Sequence, residues 1–186
     1  ISINFLPNAV YEPAACIRKT LIAAEKHDFD IKQIIFELTE QEMVRDSDHL
    51  KKIMTAYKRF GFRTAIDDFG AGYAGLGLLS EMQPDIIKID RKLVTHIDSD
   101  HVKQAILRGI VQTAGALGIE VVAEGIETRE TLTLLRDALC TAGQGYLFSR
   151  PLPVPEATAL IAAVPWMEHW GRHQTQTPED ELEAAE

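Results

Sequence analysis

Residues 62–77 read FRTAIDDFGAGYAGLG. The run FRTAIDD (62–68) has the composition of a strand, and it ends in two adjacent carboxylates, Asp67 and Asp68, with Gly70, Gly72, Gly75 and Gly77 close behind. Neighbouring side chains within a strand point to opposite faces. At the very end of a strand the backbone can turn, and both acids can then reach one place. Two unpaired anions held so close repel, and one tends to take up a proton. A divalent cation removes that conflict, and a carboxylate shared between two cations is the core of a two-metal site. The plainer reading makes one of these acids a helix cap and the glycines a turn.

Working outward, the same rhythm recurs. Further β-rich runs are ISINF (1–5), IIFELT (34–39), IIKID (86–90), EVVAEG (120–125) and GYLF (145–148). Helical faces lie between them: Ile17, Leu21 and Ala24; Leu50, Ile53, Met54 and Tyr57, capped by Gly61; Ile106, Ile110, Thr113, Ala114 and Leu117, closed by Gly118; and Leu132, Leu135 and Leu139. Repeated βα alternation implies a mostly parallel sheet, either closed into a barrel or open and doubly wound. The polar residues separate the two. Each run ends in a group able to ligate or catalyse: Asn4, Glu37, Asp67 with Asp68, Lys88, Glu124, and Gln144 just before the last run. Delivery of such groups from many strand ends to one point is the active-site plan of a TIM barrel, whereas an open sheet gathers its site at one switch point. The expected fold is therefore α/β, a TIM-barrel-like (β/α) arrangement. Six units are visible where a full barrel has eight, so the first strands are expected before Ile1. A last helix is expected over 155–170, and the polar stretch 171–186 is expected to be a disordered acidic tail.

Composition narrows the function classes. The chain has 186 residues, 46% apolar and 25% charged, as expected for one globular domain. No apolar run is long enough to span a bilayer, and ISINFLPNAV has no basic segment or cleavage site of a signal peptide. Cys16 and Cys140 stand far apart, without a metal or disulfide pattern, so a reducing cytoplasm is the expected location. A net charge of -9 argues against a nucleic acid polymer as partner. It leaves room for a small phosphate ester, provided that divalent cations sit between carboxylate and phosphate.

Each candidate residue has an ordinary alternative. Glu37 lies among Ile35, Phe36 and Leu38, where a carboxylate is costly unless paired or metal-bound. Glu40 is either a solvated loop acid or a support for the glycine-rich segment. Asn4 either offers a hard oxygen to a cation or satisfies nearby backbone. Lys88 either pairs with Asp85 or Asp90, or faces the acids and steadies a water or a phosphate oxygen. Glu124 ends an apolar strand. Glu127 is placed in the first turn of the next helix, where its charge favours the dipole. Gln144 lies between two glycines that would allow a ligand close approach. None of the histidines falls at a strand end, which disfavours a histidine-based site. Six strand ends so furnished are an odd accident for residues with no common task. A barrel enzyme acting on carboxylate substrates shares the acids and lysine but leaves the glycine loop and Gln144 unexplained.

The segments FELTE (36–40), DDFGAGYAGL (67–76), PDIIKIDR (84–91), VVAEGIET (121–128) and QGYLFSRPLP (144–153) resemble, in order and spacing, the motifs of EAL domain phosphodiesterases. ISINFLPNAVYEP (1–13) further resembles the branch found with blue-light-sensing domains. The resemblance implies hydrolysis of cyclic di-GMP to pGpG with two Mg²⁺ or Mn²⁺ ions, about 3.5–4 Å apart, and inhibition by Ca²⁺. It implies that Asn4 and Glu37 bind one metal, that Asp67 bridges, and that Asp68 and Glu124 serve the second. It gives Lys88, Glu124 and Asp68 catalytic roles, Lys88 touching the attacking water, while Glu40, Gln144 and Glu127 support the loop and substrate. It also implies a homodimer and an upstream sensory domain. The family's Glu-Ala-Leu strand is absent from this sequence, so the chain by itself is expected to be weakly active or inactive. The competing expectation is a module that binds cyclic di-GMP, or a protein, without catalysis.

Overall fold

A computed structural model describes residues 1–39, 47–71 and 77–163. Six strands form one sheet: β1 (Ser2–Asn4), β2 (Ile35–Thr39), β3 (Arg63–Phe69), β4 (Ile86–Ile89), β5 (Glu120–Ala123) and β6 (Ala142–Gly143). They lie side by side in chain order, and every neighbouring pair is parallel. The helices are α1 (Pro13–Lys26), α2 (Ser47–Arg59), α3 (Gly77–Met82), α4 (Arg91–Val94), α5 (His101–Ala116), α6 (Arg129–Asp137) and α7 (Val154–Ala163). Parallel strands joined through helices are the (β/α) plan expected from the sequence.

Strand register divides the side chains cleanly. Residues in register on neighbouring strands project to the same side. One side carries Phe36, Leu38, Ile66, Ile87, Ile89, Val121 and Ala123, all buried beneath the helices. The other carries Glu37, Ala65, Asp67, Ile86, Lys88 and Val122. Hydrophobic burial fixes the first set, and the two-residue period then forces the polar residues to the second.

Helix α2 buries Leu50, Ile53, Met54 and Tyr57, the face expected of it. The Tyr57 ring lies 4.5 Å from that of Phe36 and 5.5 Å from that of Phe5, and Phe62 stacks edge-on against Phe36 at 5.1 Å. This aromatic group fastens β1, β2 and α2 together. Burial pushes the Tyr57 phenol up to about 12.

Three expectations need correction. Helix α5 buries Leu107, Ile110, Val111 and Ala114, whereas Ile106 and Leu117 are exposed. Its inward stripe is turned by about one residue from the expected one, because both edges of the helix are apolar. Leu139 is exposed and lies beyond α6 at φ +66, so the buried anchors there are Leu135 and Cys140. The sixth strand is Ala142–Gly143 rather than GYLF, whose residues 146–148 form a turn. Small residues carry little strand signal, so the aromatic run drew the assignment away. The end of the expected last helix, the 171–186 tail and most of the glycine-rich segment lie outside the described residues.

Replacing Tyr57 with Ala is expected to lower the unfolding free energy by about 3–5 kcal/mol, as for other large buried aromatic truncations. Urea denaturation measures it, and a loss below about 1 kcal/mol would mean that the aromatic group does not hold α2 to the sheet.

Candidate metal and phosphodiester site

The polar side of the sheet has two ends. At the N-terminal ends of the strands, Arg63 pairs with Glu120 at 2.8 Å and Lys58 with Asp85 at 3.3 Å. Asp85 also accepts hydrogen bonds from the Thr64 backbone and hydroxyl, at 2.8 and 2.9 Å. It is thus fully engaged away from Lys88. The C-terminal ends hold the acids.

There Lys88 is the hub. Its Nζ lies 3.1 Å from Glu37 Oε2, 3.1 Å from Asp67 Oδ1 and 2.7 Å from Glu124 Oε1. The three acids come from β2, β3 and the residue after β5, so one ammonium ties together groups far apart in sequence. Glu37 is only 4% exposed, and this ion pair meets the cost of burying it. Burial disfavours the Lys88 charge, but hydrogen bonds and charges from Glu124 and Asp67 outweigh that and raise its pKa. Lys88 therefore stays protonated.

Asp68 joins the cluster through a β-bulge. Between Ile66, level with Ile87, and Phe69, level with Ile89, β3 holds one residue more than β4. Asp68 takes up the excess at φ +55, a conformation Asp tolerates better than most residues. Asp67 and Asp68 can therefore share a site although they are neighbours in a strand. One oxygen each from Asp67, Asp68 and Glu124 lies within 4.8 Å of the others, a set that fits a hard divalent cation. Burial, then the Asp67 charge, raises the Asp68 pKa, aided by a hydrogen bond with Asp90 and its charge and opposed by Lys88. Burial likewise raises that of Glu124, against the lowering effect of Lys88.

Of the two expectations for Lys88 the structure has the second, since it faces the acids and pairs with neither Asp85 nor Asp90. Asp90 caps α4, accepting from the Lys92 N–H at 2.6 Å, and its nearby charge helps to raise the Asp68 pKa. Sequence reasoning assigned it no role in the site. Its signal was Asp before a helical run, the ordinary mark of an N-cap.

Around this centre the other candidates separate. Asn4 is level with Glu37 in register, at the polar end of β1, but it is exposed rather than buried, since β1 lies at the sheet edge. Gln144 follows β6 instead of preceding a strand, which puts it at a strand end like the rest. Gly145 lets the backbone pass close to the Ile126 peptide, which a Cβ there would strike. The Gln144 carbonyl accepts from the Ile126 N–H at 3.1 Å, and the Ile126 carbonyl from Leu147 at 3.0 Å. Gly125, at φ +72, leaves room for the Arg91 side chain, which a Cβ would strike. Glu127 lies before α6, outside its first turn, and pairs with Arg91 at 2.8 Å, a partner the sequence did not suggest. Together these contacts clamp the segment that carries Glu124. Glu40, Gly72 and Gly75 lie outside the described residues.

A family model described as the EAL domain matches residues 1–151. The chain belongs to the EAL domain family. Among its relatives, the blue light- and temperature-regulated antirepressor BluF of Escherichia coli is 37% identical over 150 residues, which cover 81% of this chain and 37% of BluF. The cyclic di-GMP phosphodiesterase NbdA of Pseudomonas aeruginosa is 37% identical over 127 residues, 68% of this chain and 16% of NbdA. A standalone EAL protein from Vibrio cholerae, solved in its c-di-GMP-bound form, superposes with a TM-score of 0.75 at 47% identity, covering 81% of this chain and 63% of that one. Klebsiella pneumoniae BlrP1, solved with manganese and cyclic di-GMP, gives a TM-score of 0.76 at 40% identity over 81% of this chain and 38% of its own. This EAL chain thus spans less than two thirds of each of these proteins. Among its described residues, no helix is long and apolar enough to cross a membrane.

In this EAL chain the Asp68 and Glu124 pKa values are raised, so protons compete with a cation for these oxygens at less acidic pH than they do for free carboxylates. Mn²⁺ affinity, measured calorimetrically in buffers of different ionisation enthalpy, is therefore expected to strengthen from mildly acidic to neutral pH, with protons released. A flat profile without proton release would contradict this.

Proposed function

We propose that this chain contributes the metal-holding rim of a cyclic di-GMP phosphodiesterase and that its acids hold two Mg²⁺ or Mn²⁺ ions against the substrate. The observation that carries the reading is the meeting of Glu37, Asp67 and Glu124 on Lys88 with Asp68 alongside. All-oxygen donors suit these hard cations, and Asp67, Asp68 and Glu124 would hold one, with Glu37 and Asn4 toward the other. When bound, the ions supply Lewis-acid stabilisation of the phosphate and lower the pKa of water. Lys88 keeps its charge and offers N–H groups to the phosphate oxygens or to the attacking water. The water oxygen bonds to phosphorus, the bond to the 3′ oxygen breaks, and the linear product is pGpG. A carboxylate of the cluster takes the proton that the water gives up, and the 3′ oxygen leaves as a hydroxyl by taking up a proton from solvent. Gln144 offers an amide to a base edge, and the Arg91–Glu127 clamp keeps Glu124 at the rim.

The wider reading has the EAL domain over residues 1–170 followed by an acidic tail, in a cytoplasmic homodimer governed by an upstream sensory domain, with Ca²⁺ as an inhibitor. A second reading, a module that binds cyclic di-GMP or protein without cleaving it, is favoured by one observation. BluF, named as an antirepressor, matches this chain at the same identity as NbdA.

Incubating the full-length protein with cyclic di-GMP and Mg²⁺ is expected to yield pGpG by chromatography, and Asp67→Asn in it is expected to slow this by about a hundredfold or more. Binding of cyclic di-GMP without pGpG would overturn the enzymatic reading in favour of the second.

A further inference from the structure

We propose that Lys88 is the resident counter-cation of this centre and that divalent cations displace its ammonium from the carboxylates, freeing it to face the phosphate. The inference rests on the metal-site reading above and adds a role for the lysine before any substrate arrives. An ammonium group has three N–H donors and no acceptor. Lys88 has three carboxylate partners, at 3.1, 3.1 and 2.7 Å, and its side chain is only 12% exposed. One of these contacts is a hydrogen bond to Glu37 and all three hold the ammonium among the acids, so an incoming phosphate oxygen or water competes with carboxylates for it. Asp67 and Glu124 belong at once to the set that grips Lys88 and to the set whose oxygens converge for a cation. A doubly charged ion among them competes for the same lone pairs and repels the adjacent ammonium. Cation loading and release of the lysine are therefore one exchange, and coupling of this kind is reciprocal. The ammonium that holds the acids together also opposes the metal.

The exchange is tested by titrating Mg²⁺ into the wild-type chain and Lys88→Met, following heat and thermal unfolding. Without metal, Lys88→Met is expected to melt below wild type, since Glu37, Asp67 and Glu124 lose the one cation that pairs with them among the described residues. Saturating Mg²⁺ is expected to restore most of that loss, and the variant is expected to bind Mg²⁺ about tenfold more tightly than wild type. A lysine that acts on substrate alone leaves metal-free melting and Mg²⁺ affinity as in wild type, and equal or weaker affinity overturns the proposal. Should Lys88→Met fail to fold, the ¹⁵N-lysine ammonium signals of the wild type decide: Mg²⁺ is expected to shift the Lys88 signal and quicken its hydrogen exchange, and an unchanged signal overturns the exchange. If the wild type takes up no Mg²⁺, the metal centre fails and this inference with it. If Mg²⁺ binds while Lys88 stays unaffected, only this inference fails.

Discussion

Carboxyl groups brought to one rim of a parallel sheet repel one another, and the shape of this site follows from how that repulsion is met. Glu37, Asp67 and Glu124 come from separate strands and are drawn to one ammonium, Lys88, at ion-pair distance. Asp68 stands outside that grip, and burial with the charges of Asp67 and Asp90 raises its pKa. A single positive charge facing four acids leaves the rim strongly negative. On the proposed reading such a centre takes divalent cations, and through them a phosphate that this acidic chain would otherwise repel.

The rest of the architecture keeps that rim in place. The apolar side of the sheet is buried under helices, and the strand period then leaves the alternate residues no choice of direction. The bulge at Asp68 breaks the period once, where two neighbours must act on the same side. Gly145 and Gly125 let the Glu124 segment nest between the turn after β6 and the Arg91 side chain. Ion pairs at the other end of the strands, Arg63–Glu120 and Lys58–Asp85, keep those charges away from the centre.

Much of this was legible in the sequence, and the gaps have physical causes. Acids and a lysine placed after apolar β-branched runs are costly unless they meet, and that cost announced Glu37, Asp67, Lys88 and Glu124. What a single sequence does not encode locally is pairing. Lys88 has Asp85 and Asp90 close by in the chain, yet its partners lie on neighbouring strands, because register and not proximity in sequence decides contact. The Asp68 bulge depends on β4 having one residue fewer between the same levels, which β3 alone cannot reveal. Asn4 lies between Ile3 and Phe5, yet β1 is an edge strand and leaves it exposed. Gln144 was placed before a strand because small residues hid β6, and it follows that strand directly.

The central claim is that acids from β2, β3 and the end of β5 form one cation-binding centre. Crystals grown with Mn²⁺ and measured at the manganese absorption edge test it most directly. The account predicts anomalous peaks within coordinating distance of Asp67, Asp68 and Glu124. Manganese bound elsewhere, or nowhere, with these carboxylates still gathered on Lys88, would contradict it.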